Sequence, residues 1–474
     1  LIYNEFFMIV DSDKNLTGWP DYRAIWRWHF YASLFCIPFV LLLAISGSIY
    51  LFKPQIDRFE ERRFNDLKLT GNSRPISEQI VAAVGAVPGS VAISVELPER
   101  ELDATRVMVR KDKENIRVYI HPESLNVLGM RNENATFIRW IRTLHGQLHM
   151  GVRGSNLVEL ASSWTVIMIV TGLCLWWPRS IKGLGGVLYP RLTRSSRLFL
   201  RDLHSVTGIW ISFLALFLLA TGLPWAKFWG EYFRSARSVV ASVASQDWTV
   251  GGEALESSEG AAVNGMQGSG EHSTHHDKPS QSGGGERRGG TPFPEDLTEF
   301  DRVAKTAVRL SLAHPVIITA PRTGSADWNV KSDAQNRTLR ANVLVNGKSG
   351  EVVQREDFKD RPWIDRVVGI GIAAHEGQLF GWPNQLLGLV TAFGLVLLSF
   401  SGYIMWWRRR KKGTLGAPET LQAPRFRWPL ALTVVVLSIY LPMFGASLLV
   451  VLLFEYFVVR YSPMASSWLG LRRS

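Results

Sequence analysis

Apolar residues in this chain are gathered into blocks. Five stretches are long enough to cross about 30 Å of hydrocarbon, which takes roughly 20 helical residues. They run Phe30 to Phe52, Leu157 to Trp177, Val206 to Phe228, Gln385 to Trp407, and Leu430 to Val459. The pattern predicts an α-helical integral membrane protein with about five transmembrane helices. The last block is longer than one span needs and contains Pro442. A single kinked helix is expected there, because a hairpin through Leu-Pro-Met-Phe-Gly-Ala-Ser would leave backbone groups unpaired in lipid.

Between the blocks the periodicity changes. Residues 76–86 and 297–312 have helical spacing, and each leads into short β-rich runs. Val118 to Leu128 and Val343 to Val353 each read as strand, turn and strand. The chain is therefore a tandem repeat of helix, small α+β domain and helix. The first four helices each carry a hydroxyl–glycine pair near one end: Ser46-Gly47, Thr171-Gly172, Thr221-Gly222 and Ser401-Gly402. Close helix packing accounts for such pairs. Residues 251–294 are rich in Gly, Ser and charge, so a disordered insert is expected. Within it, Glu271, His272, His275, His276 and Asp277 have the composition of an exposed metal site, although short His tracts in linkers commonly bind nothing physiological.

Charge then orients the spans. The formal net charge is +12, and its basic residues cluster beside the apolar blocks, as in Arg179 to Arg201 and Arg408 to Lys412. That distribution argues for a membrane surface and against nucleic acid. By the positive-inside rule these two loops face the cytoplasm, with Trp176, Trp177, Trp406 and Trp407 as inner anchors. The expected order begins with a cytoplasmic N-terminus over 1–28. Helices follow over 29–52, 157–177, 206–228, 385–407 and 430–459. Large outer segments cover 53–156 and 229–384, basic loops 178–205 and 408–429, and a tail 460–474. In a bacterium this describes a multi-pass inner-membrane protein with its large loops in the periplasm. No cleavable signal is apparent in Leu1 to Asp21. Cys36 and Cys174 both fall in apolar helices and read as small buried hydrophobes.

Four of the ten histidines occupy equivalent places in the two repeats. His29 and His204 begin helices that enter from the cytoplasm, while His145 and His375 precede helices that enter from the periplasm. Each pair shares a depth. Two imidazoles at one depth on facing helices are what six-coordinate haem iron requires, so the pattern predicts two haem layers. His149, four residues after His145, lies on the same helical face and is a substitute ligand. His121 and His314 lie beside prolines in the outer segments and read as structural.

With these residues in view the chain resembles a known family. The motifs are Trp28-His29-Phe30, Leu203 to Gly208, Leu144 to Gly151 and His375 to Gly381, with the helix ends Thr171 to Arg179 and Ser401 to Arg410. They look like the PepSY-associated transmembrane family, which includes siderophore-linked inner-membrane ferric reductases. The resemblance implies PepSY-like periplasmic domains, two b-type haems, and His29, His204, His145 and His375 as axial ligands. Where the first repeat has His149 the second has Phe380 or a near neighbour, so the choice between His145 and His149 stays open.

The expected function is therefore a di-haem b electron carrier, of ferric reductase type. Its partners would be membrane lipid, a ferric siderophore or other periplasmic iron complex, and an electron donor from the cytoplasm or the quinol pool. No Rossmann glycine fingerprint lies in the short cytoplasmic loops, which argues against a nicotinamide site within the chain. The alternative is a haem-free membrane anchor whose PepSY-like domains bind a periplasmic protein or ligand. A transporter ranks last, since the central parts of the first four helices lack Asp and Glu.

Overall fold

The computed structural model describes residues 22–177, 183–192, 195–240, 291–321, 325–418, 427–457 and 459–469. The segment 1–21 and the histidine cluster at 272–276 lie outside the described residues. The chain divides into two compact units, one drawn from 1–51, 142–243 and 382–474, the other from 52–141 and 244–381.

The first unit is helical. Its elements are α1 (Tyr22–Leu51), α2 (Gly151–Trp176), α3 (Ser196–Gly222), α4 (Lys227–Val240), α5 (Trp382–Arg409), α6 (Arg427–Tyr440) and α7 (Pro442–Phe457). Helices α1, α2, α3 with its extension to Trp225, and α5 are long and apolar enough to cross a membrane. They pack as α1 on α2 and α3 on α5, with further contacts of α1 to α5 and α2 to α3. Exposure is inverted relative to a soluble protein. Ile45, Phe213, Phe393, Leu432 and Leu449 point outward, while Ala32, Ser46, Ser163, Thr171 and Ser401 are buried between helices. Small and hydroxylated residues at the contacts let the backbones approach.

The helices begin earlier than their apolar blocks. α1 starts at Tyr22 and α3 at Ser196. His29 and His204 therefore sit about two turns inside their helices, where neighbouring helices surround them. The expected single helix over 430–459 is instead the pair α6 and α7, which meet at Leu441. Pro442 has no N–H to give to the preceding turn, so the helical ladder breaks there. Trp229 Nε1 donates to the Tyr440 carbonyl at 3.0 Å, pairing a backbone group beside the break.

The second unit is built on one antiparallel eight-stranded sheet. The strands are β1 (Val91–Glu96), β2 (Thr105–Lys111), β3 (Glu114–Ile120), β4 (Val127–Asn132), β5 (Val316–Thr319), β6 (Asp327–Ser332), β7 (Ala341–Asn346) and β8 (Val352–Asp357). Their order is β4-β3-β2-β1-β5-β6-β7-β8. The two α+β halves expected from the repeat join edge to edge through β1 and β5, with Val95 opposite Ile318. Pairing the two edges removes two rows of unpaired N–H and C=O groups at once. Helices Ile76–Ala86 and Thr298–Arg309 belong to one shared core, in which Ile80, Val107 and Val118 meet Phe300, Trp328 and Val343. Phe293, inside the stretch expected to be a disordered insert, packs against this core and donates its N–H to Ala92 at 2.9 Å.

Candidate functional site

In the helical unit the imidazoles of His29 and His204 face each other, with ring centroids 6.4 Å apart and planes at 82°. The two rings come from α1 and α3, brought together by the packing of both helices around α2 and α5. Two metal–imidazole bonds of about 2 Å each, with the half-width of each ring added, span about this separation. Among the described residues no group of three or more His, Cys, Asp or Glu could hold a bare metal ion. A porphyrin supplies four ligands of its own and asks the protein for two axial ones, so these two residues fit a haem.

Both rings are also held from behind. His29 Nδ1 lies 2.9 Å from the Met168 carbonyl and 3.2 Å from Thr171 Oγ1, and His204 Nδ1 lies 2.9 Å from Ser401 Oγ. A third histidine repeats the arrangement, with His145 Nδ1 at 3.0 Å from Ser46 Oγ. The glycine after each hydroxyl makes room for the ring. A Cβ on Gly172 would come within 3.1 Å of His29 Cε1, one on Gly47 within 3.1 Å of His145 Cε1, and one on Gly402 within 3.4 Å of His204 Cε1. The hydroxyl–glycine pairs that packing alone seemed to explain are thus seats for three of the four matched histidines. The signal in sequence was their recurrence at matching helix ends, opposite a histidine in each repeat.

The remaining expected ligands divide. His145 lies in the last turn of the helix Phe137–Gln147. His149 does not continue that helix, because Leu148 and His149 have φ of 52° and 56° and α2 begins only at Gly151. It is exposed, and the four-residue spacing from His145 carries no shared helical face. His375 is the last residue of the helix Trp363–His375 in the second unit.

Two buried carboxylates escaped the sequence reading. Asp202, fully buried, receives Arg191 through Nε at 2.6 Å and Nη2 at 2.9 Å and Arg201 at 3.0 Å, pinning the basic loop to α3 two residues before His204. Glu159 on α2 accepts the backbone N–H groups of Phe228 and Trp229 at 2.9 and 3.0 Å, closing the first turn of α4. Neither is visible as a motif, since Arg191 lies in the loop before α3 and Phe228 and Trp229 lie in α4.

The second unit holds an ionic cluster of its own. Glu61 accepts from Arg106 Nε at 3.0 Å, Arg131 Nη2 at 3.1 Å and Tyr119 Oη at 2.8 Å. Arg117 pairs with Glu96 at 2.8 Å and Glu133 at 2.6 Å. Burial alone would raise the Glu61 carboxyl, but Arg106, Arg117, the Tyr119 hydroxyl and Arg131 overcome it and hold the group below its ordinary value. Burial and the adjacent Glu61 charge push the Tyr119 phenol up. The cluster ties the helix Lys53–Glu61 to β2, β3 and β4. His121 Nδ1 accepts from the N–H groups of Glu123 and Ser124, each at 3.3 Å, a turn-closing role that matches its structural reading.

Residues 26–409 match the family model described as the PepSY-associated TM region, more than half of the chain. A search of curated proteins found no match.

Proposed function

The chain belongs to the PepSY-associated transmembrane family, and from that premise we propose that it is a di-haem b electron-transfer protein acting as a ferric reductase. The observation that carries the reading is the facing pair His29 and His204, 6.4 Å apart between ring centroids, on helices long and apolar enough to span a membrane. When bound, haem supplies a one-electron couple. His29 and His204 would hold the inner group. The sequence repeat assigns His145 and His375 to the outer one. Asp202, through Arg191, keeps the basic loop against the start of α3 beside the inner pair.

The charge pattern supports an inner-membrane orientation with the basic loops in the cytoplasm. Electrons would come from a cytoplasmic reductant or a quinol and leave to a ferric complex outside, an Fe(III) ion taking up one electron to become Fe(II). An inside-negative potential favours that direction by about 2.3 kcal/mol per 100 mV for each charge.

The test is the purified full-length protein expressed with excess haem. It should carry close to two haems, low-spin, and extractable into acidic acetone because the sequence has no Cys-x-x-Cys-His attachment motif. In sealed oriented vesicles a membrane-impermeant ferric chelate should reoxidise the dithionite-reduced haems from the face opposite the basic loops. A colourless protein would leave the haem-free anchor as the reading, and reoxidation only from the basic-loop face would reverse the direction.

A further inference from the structure

We propose that Thr171, Ser401 and Ser46 are positioning residues: their hydroxyls hold His29, His204 and His145 in the Nδ1–H tautomer, so that Nε2 is the ring atom offered to a metal. The argument starts from where each hydroxyl hydrogen goes. Thr171 Oγ1 donates to Ile167 O at 2.8 Å and Met168 O at 3.0 Å, Ser401 Oγ to Leu398 O at 3.1 Å, and Ser46 Oγ to Leu42 O at 2.7 Å. A serine or threonine hydroxyl has one hydrogen. With that hydrogen committed to its own helix, the oxygen can only accept from the imidazole. Nδ1 must therefore carry the proton. For His29 the second contact at Nδ1 is the Met168 carbonyl, which has no hydrogen to give, and the conclusion is the same.

The following glycine completes the device. A methyl group at Gly172 or Gly47 would stand 3.1 Å from the imidazole Cε1, closer than an ordinary van der Waals contact. The ring could then reach its hydroxyl only by shifting. Hydroxyl and glycine thus act as one unit: the first sets which nitrogen carries the proton, the second sets how far the ring reaches. A metal-bound imidazole whose Nδ1–H is so bonded is a more basic ligand, and it stabilises the oxidised metal relative to the reduced one. The role in tuning a haem rests on the proposed function. The tautomer does not.

Two measurements separate these parts. The first uses the full-length protein, isotopically labelled at histidine and purified haem-free in detergent, at a pH where the imidazoles are neutral. Two-bond proton–nitrogen correlation spectra, assigned with His→Gln variants, should give the Nδ1–H pattern for His29, His204 and His145. Ser401→Ala should release His204 from that pattern. An Nε2–H pattern in the parent protein would overturn the proposal, whether or not haem ever binds. The second uses the haem-loaded protein. Ser401→Ala should raise the midpoint potential of one haem and weaken haem retention about 10- to 100-fold, and Ser401→Thr should restore both. Ser399→Ala is the control for general packing damage, because Ser399 is buried on the same helix and donates to Leu395 O at 2.9 Å. It should change neither quantity. Equal potentials for Ser401→Ala and the parent, or a shift as large in Ser399→Ala, would remove the positioning role.

Discussion

His29 and His204, from helices whose sequences are far apart, meet with their ring planes at 82° and their Nδ1 atoms each engaged by a neighbouring helix. Nothing in either helix alone requires this meeting. Both Nδ1 atoms being engaged by neighbouring helices fixes how each ring is set, and the consequences of the haem site proposed between the rings can be tested.

Replacing either member should empty the same site. His29→Ala and His204→Ala should each remove one of two haems and leave the other, read as a halving of the Soret absorbance per protein with the remaining spectrum still low-spin. Loss of both haems from each single variant would point to a shared site or to global misfolding.

The two histidines that the sequence left open as the outer ligand have different surroundings. His145 is seated on Ser46 and Gly47, whereas His149 is exposed and lies outside the helix. His145→Ala should therefore cost the outer haem and His149→Ala should keep it, as measured by haem-to-protein ratio. The reverse result would move the ligand to His149.

The Glu61 cluster should make the second unit sensitive to acid. Because its carboxyl is held below the ordinary 4.5, the stabilisation is complete above that pH and is lost as pH falls through the lower folded value. Glu61→Gln should cost about 3 kcal/mol near neutrality, where it leaves buried guanidinium groups short of a partner. Thermal unfolding should show a large difference between parent and variant at pH 7 that shrinks progressively as the pH is lowered below 4.5. A difference that stays constant over that range would mean the charge contributes nothing.

Two deletions that look similar in sequence should behave differently. Removing 251–290 should leave the melting temperature of the second unit close to that of the parent. Extending the deletion through 294 removes Phe293, whose ring packs against Phe300 and Trp328 at centroid distances of 5.4 Å. Phe293 is half-buried, so its loss should cost less than the about 3–5 kcal/mol of a fully buried Phe, and the longer deletion should still melt below the shorter one. Equal melting would show that Phe293 adds nothing to the core.

Much of this architecture was legible in the chain because its signals are local. An apolar block long enough to cross a bilayer needs no partner to be seen, and neither does the helical spacing of 76–86, which the structure reproduces as Ile76–Ala86. The matched histidines were found the same way, from flanking residues that repeat. Pro442 was also visible, but whether a proline bends a helix or divides it depends on what accepts and donates around it, and here that includes Trp229 from α4.

What only the tertiary structure decided are relationships between residues remote in sequence. The hydroxyl–glycine pairs read as packing until α1 lay against α2 and α3 against α5, which placed Thr171 behind His29, Ser46 behind His145 and Ser401 behind His204. The two α+β halves read as separate domains until β1 paired with β5, an edge contact that leaves no periodicity in either strand. His149 read as a helical neighbour of His145 until the left-handed turn at Leu148 and His149 ended the helix. Hydropathy and spacing report what each segment needs from its surroundings. The directional bonds of single polar atoms depend on which surroundings the fold provides, and only the assembled helices supply them.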